Sequence, residues 1–378
     1  MLAVLKRPAE AKEHLRHAVE LQPVNAAAHY HLGMLLWLEE NANEAIPLLQ
    51  TAAKLSPKTF DYRYQLGVSL HAADHVDRAI SELRASTLLQ PKSAKAWLSL
   101  GISLEKKGAL AEARDSYRKA VELAPADHAA RNALGFILVQ TREAKAGIAE
   151  FRKILQSDPA NLVAMTNIGF AFLQTGDYDK AVDQFRAVLE RDPTSAVAHY
   201  DLGLALKQKD DLDGAIKELT EAIKLDPGMA EAHYTLGITY WQTGDFEATA
   251  NQMRSAIQLR PEYAAAHYML GTALKQKGDP DGALALYNES MRLEETVETY
   301  LIAARLNLVL DRLDEAERLV QKALRRDASS RDARFESARI AARRGEFSLA
   351  VKQAERALAA SGGEITSAQM AKAWRWQA

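Results

Sequence analysis

Apolar residues recur along this chain at helical spacing, and the helices they predict recur in a longer cycle. Met165, Ile168 and Phe172 fall at i, i+3 and i+7, one face of a helix. Asn161 stands just before it and offers an acceptor to the free N–H groups of the first turn; Asn25, Thr59, Ser93, Asp127, Ser195 and Ser330 hold the same slot elsewhere. Gly176-Asp177 predicts the stop. A second helix carries Ala181, Phe185 and Val188 on one side and ends near Pro193. The cycle is 34 residues. It is marked by Pro23, Pro57, Pro91, Pro125, Pro159, Pro193, Pro227 and Pro261, and by Leu-Gly pairs from Leu32-Gly33 to Leu270-Gly271, with Ile168-Gly169 in one slot. Twelve residues after each glycine comes a small residue (Ala45, Ala79, Ala113 and onward to Ala283). Four later comes a large one, such as Leu49, Tyr117, Phe151 or Phe185. The bare glycine is expected to let the first helix of a pair (A) lie close to the second (B). Pro47 falls early in a helix B, where a first-turn position tolerates it and a deeper one bends the helix.

This pattern resembles the tetratricopeptide repeat (TPR) family, which reads W-x2-L-G-x2-Y, then A-x3-F, then P, in 34 residues. Trp97, Leu100, Gly101, Leu104, Ala113, Tyr117, Ala120 and Pro125 carry it most fully. The resemblance implies an all-α fold, an α-solenoid of stacked helix-turn-helix hairpins wound as a right-handed superhelix, because no single hairpin buries both its apolar faces. We divide the chain into a partial repeat over 1–25, eight regular units over 26–296, two divergent units over 297–363 and a capping helix over 364–378. In the divergent part Glu295 replaces a proline, the ninth unit starts one residue early, and Ala303-Ala304 and Ser337-Ala338 replace Leu-Gly. Residues 1–25 match only the back of a repeat, with Leu2 to Leu5 as a remnant of helix A; an upstream start and a terminal half-repeat cap both account for this, and we favour the former.

In the TPR family, ligands lie in a concave groove lined by helix A. The resemblance therefore assigns groove-facing slots to repeat positions 2, 5, 9, 12 and 13. The fifth includes Tyr64, Asn132, Tyr200, Tyr234 and Tyr268; the ninth, Phe136 and Phe170; the twelfth, Lys207, Trp241 and Lys275; the thirteenth, a run of amides, Gln140, Gln174, Gln208, Gln242 and Gln276. Tyrosines give rigid apolar area with a hydroxyl, and glutamines match the donors and acceptors of a peptide main chain. Two plainer readings stand beside this one: the tyrosines pack between neighbouring helices, and the glutamines are simply exposed. Asn167, Lys207 and Lys275 are too scattered for the family's dicarboxylate clamp. The sixth position (His31, Gln65, Ser99, Ala133, Asn167, Asp201, Thr235, Met269) lacks the asparagine ladder of glycosyltransferase-linked arrays.

Composition narrows the chemistry. The 378 residues hold 48 basic and 50 acidic side chains, a formal charge of −2, which gives no reason to expect nucleic acid. With no cysteine there is neither thiolate metal site nor cysteine nucleophile. No apolar run approaches the length of a membrane span. His14 and His17 beside Glu13, and His71 and His75 around Asp74, are the only metal-like groupings, and both read as exposed helix residues. His29, His199, His233 and His267 share the fourth repeat position and read as packing residues. No phosphate-cradling loop or catalytic motif occurs. Residues 301–378 carry a basic excess of five, read as a solvated face or an anionic docking patch.

The expectation is a non-catalytic scaffold, without cofactor or metal, that binds a protein or extended peptide in its groove. We expect no nucleic acid and no membrane insertion, and place it in the cytoplasm; self-association is a further expectation. The alternative is the TPR arm of a longer enzyme, such as a protein glycosyltransferase, or of a sensor.

Overall fold

The computed structural model describes residues 8–359, so the expected capping helix over 364–378 and the Leu2 to Leu5 stub lie outside it. Among the described residues there are 21 α-helices and no strand. They fall into two compact units that part after Gln184, within α11 (Tyr178–Leu189).

In the first unit α1 (Pro8–Leu21) precedes the A helices α2 (Ala26–Leu38), α4 (Phe60–Ala72), α6 (Ala94–Lys106), α8 (His128–Gln140) and α10 (Leu162–Thr175). Their B partners are α3 (Ala42–Leu55), α5 (Val76–Leu89), α7 (Leu110–Leu123) and α9 (Ala144–Ser157). In the second unit the A helices are α12 (Ala196–Gln208), α14 (Ala230–Thr243), α16 (Ala264–Gln276), α18 (Val297–Val309) and α20 (Arg331–Arg343). Their B partners are α13 (Leu212–Leu225), α15 (Phe246–Leu259), α17 (Pro280–Leu293), α19 (Leu313–Arg326) and α21 (Phe347–Ala359). Within each unit the A helices other than α10 pack on their own B helices, and each B helix packs on the next A. A helices of neighbouring hairpins also meet, as in α4 with α6, α8 with α10 and α18 with α20, so they form a shared face.

The Leu-Gly signature has a direct steric cause. A Cβ placed on Gly135 would sit 2.5 Å from the ring of Phe151, which is fully buried. One on Gly101 would sit 2.5 Å from the ring of Tyr117. Helix A approaches helix B at that contact only because the side chain is missing. The small residues at the twentieth and twenty-seventh positions, such as Ala113 and Ala120, have no exposed surface. At the front, Leu15 and Val19 of α1 cover Leu32, Leu36 and Ala45.

Each A helix turns into its B helix through one left-handed residue. In chain order these are Glu40, Asp74, Gly108, Arg142, Gly176, Asp210, Gly244, Gly278, Asp311 and Gly345, all at φ between 58° and 83°. The interval is 34 residues except between Gly278 and Asp311, where it is 33. Five of the ten are not glycine, so the turn geometry is imposed by the hairpin rather than by the residue.

Some local expectations need correction. Asn25, Asp127, Asn161, Ser195 and Ser330 cap their helices through side-chain oxygens, but Thr59 and Ser93 make no such bond. Unforeseen caps open the B helices instead, from Asn41, Asp211, Asp245 and Asp279. Pro47 is the sixth residue of α3, past the first turn, where its missing N–H leaves the carbonyl of Asn43 without its helical donor.

Candidate functional site

The fifth-position side chains are half-buried and tie one hairpin to the next. The Tyr64 hydroxyl lies 3.4 Å from Ser99 Oγ, and the Asn167 amide donates to Asn132 Oδ1 at 2.7 Å. In the second unit Tyr200 pairs in the same way with Thr235. Each contact joins position 5 of one repeat to position 6 of the following one. Tyr64 is further held by Phe60, stacked at 5.5 Å, with the Lys95 ammonium 4.7 Å from the Tyr64 ring. Phe136 and Phe170 stack at 5.7 Å on the A-helix face of the first unit. Tyr234 meets Tyr263 at 4.9 Å, Trp241 meets Phe246 at 4.9 Å, and Tyr268 meets the buried Tyr287 at 5.9 Å.

Acidic groups colour the tyrosine cluster of the second unit. Burial, with Asp201 and Glu231 nearby, raises the Tyr200 phenol against the pull of Thr235. Burial and Glu298 raise Tyr234. Tyr263 is pushed up to about 12 by burial, Tyr234 and Glu231. Tyr268 is raised by burial and by Glu298, whose carboxylate accepts its hydroxyl at 3.1 Å. Burial lifts the half-buried Asp201 carboxyl to about 7.

The remaining sequence-assigned residues are looser. Gln140, Gln174, Gln208, Gln242 and Gln276 are all exposed. None makes a hydrogen bond among the described residues. Lys207 is half-buried and Lys275 exposed, and neither pairs with a carboxylate there.

The fourth position holds an arrangement that the sequence reading missed. Arg63, Trp97, Arg131, His199, His267 and Arg334 each bond the carbonyl six residues earlier, at the end of the preceding helix B. Several also reach nineteen residues forward to their own helix B: Arg63 to Glu82, Arg131 to Glu150, His199 to Glu218 and His233 to Gln252. The signal was present as a polar residue paired with Glu or Gln at a fixed spacing.

The metal-like groupings do other work. His71 Nδ1 lies 3.0 Å from Ser103 Oγ, and Asp74 pairs with Lys106 at 2.7 Å. Burial and Lys106 hold His71 below its ordinary value. Among the described residues no three His, Asp or Glu side chains come together as a metal site. The basic excess near the end is largely engaged in ion pairs, including Arg312 with Asp281, Arg343 with Asp311, and Arg305 and Arg339 with the buried Glu336.

A tetratricopeptide repeat model matches residues 4–60, 167–230, 234–293 and 303–365, more than half of the chain. The chain belongs to the tetratricopeptide repeat family. The model of the cytochrome c-type biogenesis protein H TPR domain also matches, over residues 74–196. This TPR chain resembles a tetratricopeptide repeat protein from Parabacteroides merdae at a TM-score of 0.58 and 13% identity, covering 70% of this chain and 99% of the other. It resembles human IFIT1, solved as a dimer with m7Gppp-AAAA, at a TM-score of 0.51 and 17% identity, covering 96% and 88%. At these identities the likeness is one of fold. No curated protein matches the sequence. TPR proteins are protein-interaction scaffolds as a family, and no helix among the described residues is long and apolar enough to cross a membrane.

Proposed function

We propose that the chain is a non-catalytic scaffold that holds an extended peptide segment of a partner protein along the face of its A helices. The observation that carries this is the run of free amides. Gln140 and Gln174 in the first unit, and Gln208, Gln242 and Gln276 in the second, stand exposed at one repeat position with no partner among the described residues. Such groups suit the N–H and C=O groups of a peptide main chain. Beside them Phe136, Phe170, Tyr200, Tyr234, Trp241 and Tyr268 are half-buried, which supplies apolar area already fixed in place. Tyr64 and Asn132 extend the face in the first unit, and Lys207 and Lys275 supply positive charges in the second.

Human IFIT1 was solved with m7Gppp-AAAA, which raises RNA as a ligand class. Charge favours a peptide here. The net charge is −2, and in the tyrosine cluster of the second unit Arg260, which lies over Tyr263, is paired with Glu231, leaving Asp201 and Glu298 as the acidic groups without a basic partner among the described residues.

The test is a peptide array probed with the full chain and with Tyr200→Ala, Tyr234→Ala and Gln242→Ala. Loss of about tenfold or more in affinity for each tyrosine variant is expected, as for a buried aromatic anchor. Peptide binding that none of the three substitutions alters rejects this face as the site.

A further inference from the structure

In the second unit a cleft of about 600 Å³ opens between α16, α18 and the start of α20. Its apolar part comes from Tyr268, Val297, Leu301 and Ile302. Five charged residues also line it, and their partners differ. Arg305 donates to Glu336 at 2.7 Å and lies 3.4 Å from Asp332, so two carboxylates answer its charge. Arg331 lays its guanidinium over its own helix neighbour Phe335, 5.3 Å from the ring centre. Asp327 accepts from the N–H and Oγ of Ser329 and so closes the turn before α20. Glu298 is exposed and receives only the Tyr268 hydroxyl; among the described residues no basic group pairs with it. Burial first and Glu298 second raise the phenols of both Tyr268 and Tyr234, so the negative field of Glu298 reaches both rings.

We infer that this cleft receives an arginine or lysine side chain of the bound peptide, its aliphatic stem on Leu301 and Ile302, its cationic head beside Glu298 and over the Tyr268 ring. Charge complementarity selects this occupant. Arg331, the other lining charge without a carboxylate partner among the described residues, is laid on Phe335, so an acidic side chain would meet the uncompensated Glu298, and a purely apolar one would desolvate it without return. A long basic side chain matches both the apolar floor and the charged rim, and its head gains from the tyrosine face as well. The cleft volume lies within the range of side-chain and small-ligand sites. The inference rests on the peptide-groove reading only in naming a peptide as the source of the cation.

The test uses the full-length chain with labelled Leu and Ile methyl groups, titrated with N-acetyl-arginine amide and, separately, with the neutral N-acetyl-citrulline amide. Saturable shifts of the Leu301 and Ile302 methyl signals are expected with the arginine probe, and about fivefold or more weaker binding with citrulline, as removal of a charge–charge contact implies. Glu298→Gln is expected to weaken the arginine probe to the citrulline level while leaving the methyl spectrum of the free protein in place, since the residue is exposed. Equal response to the two probes, no response to arginine, or an unchanged response in Glu298→Gln overturns the inference. Array peptides that bind through Tyr200 and Tyr234 but carry no basic residue would leave the groove reading standing and remove this one.

Discussion

The guanidinium of Arg131 donates to the carboxylate of Glu150 across 2.6 Å, with the two side chains only 12% and 14% exposed. The same guanidinium donates to the Pro125 carbonyl at 2.6 Å, so one residue of helix A fastens both its own helix B and the preceding one. Glu150 has a second partner in Lys153 at 2.7 Å, but removing the carboxylate charge would leave the Arg131 guanidinium enclosed without a counter-ion. Glu150→Gln is therefore expected to destabilise the α8–α9 hairpin by about 2 kcal/mol, below the figure for a fully buried pair because some solvent reaches it. The His233–Gln252 contact, at 2.7 Å, offers a neutral replacement taken from another repeat. The double change Arg131→His with Glu150→Gln is expected to recover most of the loss. Hydrogen exchange of the α8 and α9 amides reads this locally, as a repeat array need not unfold in one step. A double variant no better than the single one would refute the clasp as the source.

Arg142 occupies a left-handed turn at φ 65°, where other hairpins place glycine. Its side chain is exposed, so little packing is at stake. A side chain in that conformation costs about 1–2 kcal/mol, and glycine gives back part of the gain through its looser unfolded chain, about 0.5–1 kcal/mol. Arg142→Gly is thus expected to stabilise the hairpin by roughly 0.5 kcal/mol or somewhat more. Asp210→Gly, at φ 66°, is expected to gain less, because aspartate tolerates the conformation better. A denaturant series on both variants checks the order; equal or opposite effects would show that the turn is not strained at Arg142.

The fold was legible because its period is written in residues with steric consequences. Gly101 and Gly135 are bare where Tyr117 and Phe151 press in, and any unit that lost that glycine would lose the close approach. The left-handed turns were legible only at their glycines; Glu40 and Arg142 adopt them because the hairpin requires it. The candidate face was legible in part. Position numbers located Tyr64, Asn132 and Tyr200, but whether such a side chain is free depends on the sixth position of the next repeat, where Ser99, Asn167 and Thr235 engage them. Of the cleft at Glu298 only Tyr268 was legible in the sequence. Two of its three helices, α18 and α20, lie in the stretch where Leu-Gly is replaced, and its chemistry turns on which charges are already paired.

Asp201 sits on α12 next to Tyr200, half-buried, with burial lifting its carboxyl to about 7 from an ordinary value of 3.8. The folded state thus holds the proton more tightly than the unfolded chain. The stabilisation this gives is fully present below about pH 4, and it is lost as pH rises toward 7, where the carboxyl must ionise while still enclosed. Above pH 7 the charged group is a net burden on the hairpin. Asp201→Asn removes the titration and keeps the shape. The variant is expected to match the wild type near pH 4, to lack its decline between pH 4 and 7, and to exceed its stability at pH 8. Amide exchange in α12 and α13 followed across that range measures the difference. Parallel profiles for the two proteins would show that Asp201 ionises as freely in the folded state as in the unfolded one. The readout also bears on binding, because an ionised Asp201 adds to the negative field on Tyr200. A peptide seated by Tyr200 through a basic residue should then bind more tightly at pH 8 than at pH 5 in the wild type, and Asp201→Asn should reduce that gain.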